Sequence, residues 1–130
     1  MRKVQILIVD DEEALRDVIE MILESEIDAN FIKAENGKIA EEMIQTQSII
    51  DIIISDFNMP IKNGADLFNF NKSFKNIPMI LLSGSSLDEH KTLNDFLVSN
   101  KLNRFLNKPF DENILINAVK EISQTISLNS

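Results

Sequence analysis

Four short aliphatic runs constrain the fold of this chain more than any other feature. Ile6-Leu7-Ile8-Val9, Ile52-Ile53-Ile54, Met79-Ile80-Leu81-Leu82 and Phe105-Leu106 each place apolar side chains on successive residues. Successive residues of a strand point to opposite faces, so such runs belong in a sheet covered on both sides. Longer amphipathic stretches separate them, and this alternation is the sequence sign of βαβ units around a parallel sheet. Strands are expected at about 4–9, 30–34, 51–55, 78–82 and 103–106. Five helices follow them. The first places Leu15, Val18, Ile19, Ile22 and Leu23 on one stripe, which should face the sheet. The second, from Gly37 to Gln47, turns Ile39, Ala40, Met43 and Ile44 inward, and the third, after Gly64, turns in Leu67, Phe68 and Phe74. The fourth, from Ser86 to Ser99, uses Leu93, Phe96 and Leu97. The fifth opens on Asp111 as N-cap and presents Leu115, Ala118, Val119 and Ile122 to the core.

With 130 residues, 44% of them hydrophobic, the chain fits one domain with a sizeable core. Residues 1–124 are read as that domain and 125–130 as a polar tail, the stub of a linker. A net charge of −8, from 21 acidic and 13 basic residues, repels nucleic-acid backbones, so direct nucleic-acid binding is not expected. The chain has no cysteine, which leaves no disulfide framework or thiolate metal site. It shows no signal-peptide pattern and no apolar run of membrane-spanning length, so a cytoplasmic location away from membranes is the expectation.

Chemistry in an open α/β sheet gathers at the carboxyl ends of strands. There the chain places Asp10-Asp11 after the first strand, Asp56 after the third, Ser83-Gly84 after the fourth and Lys108-Pro109 after the fifth. Three carboxylates within about 5 Å, at an effective dielectric near 20, repel by roughly 3 kcal/mol per pair and on the order of 10 kcal/mol together. Such a cluster must protonate, spread apart or hold a cation, and an all-oxygen set at neutral pH suits Mg²⁺. Lys108 would add a second positive charge, and the Ser83 hydroxyl and Gly84 amide would donate to phosphoryl oxygens. Asp56, alone on its strand, is the candidate nucleophile, with Asp10 and Asp11 placed to ligate metal. Singly, each residue has a plainer reading. Asp10 and Asp11 would cap the following helix, Asp56 would start a turn, Lys108 would be solvated, Ser83 would be a turn residue, and Phe105 an ordinary core aromatic. His90, the only histidine, is read as a solvated helix residue.

Together these features resemble the receiver domain of two-component response regulators over essentially the whole chain. Asp10-Asp11, Asp56 followed by Met59-Pro60 and Gly64, Ser83-Gly84, and Lys108-Pro109-Phe110 stand in that family's order. The resemblance implies a flavodoxin-like three-layer (βα)5 sandwich with a parallel five-stranded sheet in the order 2-1-3-4-5. It implies that Asp56 takes a phosphoryl group from a sensor histidine kinase, a histidine phosphotransfer protein or a small acyl phosphate. It further implies Mg²⁺, with Mn²⁺ or Ca²⁺ as substitutes, held by Asp11, Asp56 and the backbone carbonyl of Asn58, with Asp10 acting mostly through metal-bound water. Ser83 and Phe105 would form the switch, altering the face made by the fourth helix, fifth strand and fifth helix for a downstream partner, an effector domain or a second copy. The chain would then be a phosphoacceptor promoting its own phosphorylation and dephosphorylation, not an enzyme on a separate substrate. Two other classes stand beside it: a magnesium-dependent phosphohydrolase, for which Asn58 lies where the acid aspartate is expected, and a receiver-like scaffold that works without phosphorylation.

Several positions depart from that family's commonest pattern. Ser83 replaces the usual threonine, and Phe105 lies where tyrosine is frequent. Lys101 falls where many receivers have glycine, so the left-handed residue ending the fourth helix is expected at Asn100. Asn58 and Ser85 lie at positions that in this family affect phosphoryl lifetime by controlling an attacking water, and the resemblance implies that two small polar residues there would favour water entry over a long-lived phosphoryl state.

Overall fold

The aliphatic runs become the middle layer of a computed structural model that describes residues 3–47, 49–84 and 90–129, apart from the side chains of 90, 91, 128 and 129. Strands β1 (Val4–Val9), β2 (Ala29–Ala34), β3 (Ile52–Asp56), β4 (Met79–Ser83) and β5 (Arg104–Asn107) alternate with five helices. These are α1 (Glu13–Glu24), α2 (Gly37–Thr46), α3 (Gly64–Phe74), α4 (His90–Ser99) and α5 (Glu112–Asn129). The strands pair in parallel in the order β2-β1-β3-β4-β5.

Side-chain alternation splits the core in two. Leu7, Val9, Ile53, Met79 and Leu81 point to the layer containing α2, α3 and α4, where Ala40, Ile44, Phe68 and Phe96 meet them. Ile6, Ile8, Ile52, Ile54, Ile80 and Leu82 point the other way, onto Ile19 and Leu23 of α1 and Leu115, Val119 and Ile122 of α5. All five residues of β3 and all five of β4 are buried, as central parallel strands require. Asp111 caps α5 as expected, its Oδ1 accepting from the Asn113 and Ile114 amides at 2.7 and 3.3 Å.

Four residue placements, at Val18, Phe74, Leu97 and Asn100, are corrected. Val18, Phe74 and Leu97 are 38%, 46% and 41% exposed, so each helix buries a narrower stripe than its apolar periodicity suggests. Asn100 is not left-handed; among the described residues the positive-φ positions are Ile61, Lys62 and Asn76. Instead the Asn100 side chain closes the turn, its Oδ1 accepting from the Leu102 amide at 2.9 Å. Asn76, with φ 52°, supplies the left-handed residue at the end of α3. The segment from 125, read as a polar tail, continues α5 in helical form to Asn129. No helix among the described residues is long and apolar enough to cross a membrane.

Candidate functional site

The candidate site forms where the sheet order reverses. From β1 the chain passes to β2 on one side and then returns to β3 on the other, opening a crevice beyond the carboxyl ends of β1 and β3. Val9 is in register with Ser55, so the next residues, Asp10 and Asp56, leave neighbouring strands side by side. Carboxylate oxygens of Asp10, Asp11 and Asp56 lie within 4.8 Å of one another, with Asp10 and Asp56 buried and Asp11 exposed.

Asp10 is the most constrained of the three. Its amide donates to the Ala34 carbonyl at 3.1 Å, and its Oδ1 accepts from the Glu12 amide at 2.8 Å. Oδ2 is buried with no hydrogen-bond partner. Lys108 Nζ stands 3.7 Å from it, close enough for Coulomb attraction but too far for a hydrogen bond. Burial, the largest influence, raises the Asp10 pKa above the ordinary 3.8; the Glu12 amide lowers it, Asp56 raises it, Lys108 lowers it and Asp11 raises it. The capping reading does not describe this pair, because Glu12 is the N-cap of α1 and makes no side-chain cap bond.

Lys108 is directed at Asp56, with Nζ 3.0 Å from Oδ1. It reaches that point because its amide donates to the Ser83 carbonyl at 2.8 Å, extending the β4–β5 pairing beyond Asn107. The Lys108–Pro109 peptide is cis. Lys108 pairs with two of the three carboxylates and Arg16 reaches the Asp10 carbonyl, which still leaves the cluster negative. An orphaned buried oxygen within an all-oxygen set is what a hard divalent cation would complete. The residues present therefore fit Mg²⁺.

The other expected residues sit around this centre. Ser83 is fully buried at the end of β4, one residue past Leu82, the register partner of Asp56. Gly84 follows and is exposed, and a Cβ there would make only ordinary contact with Lys108, 3.8 Å away. Phe105 pairs with Leu81 and is half-buried against the α2–α4 layer. Asn58 is exposed, two residues beyond Asp56. Ser85 and the expected start of the fourth helix lie outside the described residues, as does the side chain of His90.

Two features had no clear sequence signal. The loop from β3 to α3 holds Ile61 at φ 60° and Lys62 at φ 86°, and the left-handed region is costly for a β-branched residue. The loop is held there by its partners. The Lys62 carbonyl accepts from the Gly37 amide at 3.1 Å, and Lys62 Nζ meets Glu41 Oε1 at 2.9 Å. A Cβ on Gly37 would sit 2.4 Å from that carbonyl, so only glycine permits the approach. Gly64 works likewise at the other end, where a Cβ would lie 2.8 Å from Phe57 Cα and 2.9 Å from the Asp56 carbonyl. The second feature is a groove of about 260 Å³ beside Lys108, lined chiefly by Leu15, Val18, Ile22, Pro109 and Phe110. Val18 lines this groove with Leu15 and Ile22, the part of the α1 stripe that does not join the core cluster of Ile19 and Leu23.

Comparison with known proteins agrees with this geometry. The family described as response regulator receiver domain matches residues 6–120. The chain is similar to the 3',5'-cyclic-nucleotide phosphodiesterase regA of Dictyostelium discoideum, 32% identical over 95% of the chain and 16% of that protein. It is also similar to the transcriptional regulatory protein YvrH of Bacillus subtilis, 30% identical over 85% of the chain and 45% of that protein. The chain thus spans less than half the length of either relative. Among solved structures, the receiver domain of Francisella response regulator 1452 superposes with a TM-score of 0.80 at 28% identity, covering 95% of this chain and 99% of that one.

Proposed function

The chain belongs to the response regulator receiver domain family of two-component systems, and from that premise we propose that it accepts a phosphoryl group on Asp56 and relays the change to a protein partner. The observation that carries this reading is Asp56 with Lys108 Nζ at 3.0 Å, inside a cluster of three carboxylates. An Asp56 carboxylate oxygen attacks phosphorus, the bond from phosphorus to the donor's imidazole nitrogen or acyl oxygen breaks, and the donor leaves with that electron pair. Lys108 meets the charge that builds on the phosphoryl oxygens, and Ser83 and the Gly84 amide are the next donors along the rim. Bound Mg²⁺, or Mn²⁺ or Ca²⁺ in its place, would supply further neutralisation of those oxygens; Asp10, Asp11, Asp56 and the Asn58 carbonyl are the residues that would hold it. Burial of Asp10 and its fixed amide keep one acid in place while Asp56 reacts.

The donor in this reading is a sensor histidine kinase or histidine phosphotransfer protein, met in the cytoplasm. The apolar groove along Leu15, Val18, Ile22 and Phe110 supports it, because it offers a docking surface whose edge is Lys108 itself. Output runs through the face made by α4, β5 and α5, where Phe105 and Ser83 set two arrangements, and a second copy of the chain is one partner that face would take. Moving such an equilibrium from mostly off to mostly on takes roughly 5 kcal/mol of differential stabilisation.

Intact mass after treatment with acetyl phosphate and Mg²⁺ tests the reading. One phosphoryl group on the wild type, none on Asp56→Asn and none with a chelator are expected; equal labelling of both proteins removes Asp56 as acceptor. Multiple turnover of an unrelated phosphoester would indicate a hydrolase, and partner binding without labelling would indicate a scaffold.

A further inference from the structure

The Asp10–Asp11 peptide is held by a side chain from outside the carboxylate cluster. Arg16 Nη1, one turn into α1, donates to the Asp10 carbonyl at 2.6 Å. With the Asp10 amide on Ala34 and Oδ1 on the Glu12 amide, Asp10 and the peptide that follows it are left with little conformational freedom. Asp11 is exposed, so no packing of its own directs its carboxylate toward Asp56. Its direction depends on the peptide plane before it, and the acceptor oxygen of that plane is the one Arg16 grips. We propose that Arg16 is a positioning residue for divalent-cation binding, fixing the peptide that aims Asp11 into the cluster; this rests on the functional reading above.

The sign of the effect separates this role from simple charge. Arg16 is a cation close to a cation site, so by Coulomb's law alone its removal tightens Mg²⁺ binding. By positioning, its removal loosens binding, and supporting groups behind metal ligands are typically worth 10–100-fold in affinity. A side chain that only stabilised α1 would move the melting temperature and leave the affinity unchanged.

The test is calorimetric titration of the whole chain with MgCl₂, wild type beside Arg16→Met, which keeps the aliphatic stem and removes the donor. Acetyl phosphate labelling against Mg²⁺ concentration is measured in parallel. The expected result is a Kd raised about 10-fold, with the half-saturating Mg²⁺ for labelling rising equally and the maximal rate within about twofold of wild type. Arg16→Lys, which keeps the charge but loses the planar fork, is expected to fall between the two. An unchanged or tighter Kd in Arg16→Met overturns the inference. Should that variant not fold, Arg16→Lys decides, and a wild-type Kd there overturns it. Wild-type binding with unaffected variants overturns the inference alone, whereas a wild type that takes up no Mg²⁺ overturns the functional reading with it.

Discussion

The two ends of the sheet treat their polar groups in opposite ways. At the amino ends of the strands, Asn71, 2% exposed, exchanges two hydrogen bonds with the Ile77 backbone at 2.8 and 3.0 Å. Nearby, Asn103 accepts from the Met79 amide at 2.8 Å and donates to the Phe96 carbonyl at 2.7 Å. Asp51 Oδ2 accepts from the Gln5 amide at 2.8 Å, and Asn76 and Asn100 tie the ends of α3 and α4 together. At the carboxyl ends, three carboxylates cluster, Lys108 pairs with two of them, and a buried oxygen of Asp10 has no hydrogen-bond partner. Polar groups satisfied by the chain itself hold the fold, while those left short of partners are available to a ligand.

This contrast breaks most visibly at Asn103. Asn103→Ala strands the Met79 amide and the Phe96 carbonyl, and two buried groups left unpaired cost about 3 kcal/mol. Chemical denaturation should show that loss with Mg²⁺ affinity unchanged; a loss of affinity would mean the two rims are coupled. The converse variant is Lys108→Met, which should lower the rate of acetyl phosphate labelling at saturating Mg²⁺ by about 10²-fold. A rate within threefold of wild type would argue against Lys108 as the group that meets the transferring phosphoryl. Gly64→Ala probes the seam between the two functions. Its Cβ would press on Phe57 Cα and the Asp56 carbonyl at 2.8 and 2.9 Å, costing about 2 kcal/mol and slowing labelling together.

The smallest effect is expected at Asp10, and its sign is the informative part. Burial raises the folded-state pKa of Asp10 above 3.8, so this group favours folding when protonated and loses that contribution as pH rises through the raised value. Asp10→Asn should therefore stabilise the metal-free protein, most at pH values above that raised pKa, and the gain should vanish below pH 3.8. Saturating Mg²⁺ should reverse the ranking, since the variant lacks a charge the cation uses. Thermal melts of both proteins across pH, with and without Mg²⁺, check all three statements.

Much of the fold was legible because a parallel sheet writes itself plainly. Strands apolar on both faces admit few other placements, and the expected bounds fall within one residue or so of the observed strands. Helical periodicity was less informative. It gave the apolar side of α1, α3 and α4 but not how far the covering layer extends, so Val18, Phe74 and Leu97 were placed too deep. The asparagine network could not be read, because Asn71 and Asn103 look like ordinary polar residues until the strand ends they bridge are known. In the site, Asp10, Asp11, Asp56 and Lys108 were nameable from their positions after strands. The left-handed Ile61 was not, since a β-branched residue argues against that conformation.

The most direct test of the central claim is Mg²⁺-dependent phosphoryl capture at the acidic rim. Wild type and Asp56→Asn are incubated with acetyl phosphate and Mg²⁺, then weighed intact and mapped by peptide. A single phosphoryl group located on Asp56, lost with the substitution and with chelation, is the predicted result. Labelling that survives Asp56→Asn, or that ignores Mg²⁺, would contradict the account.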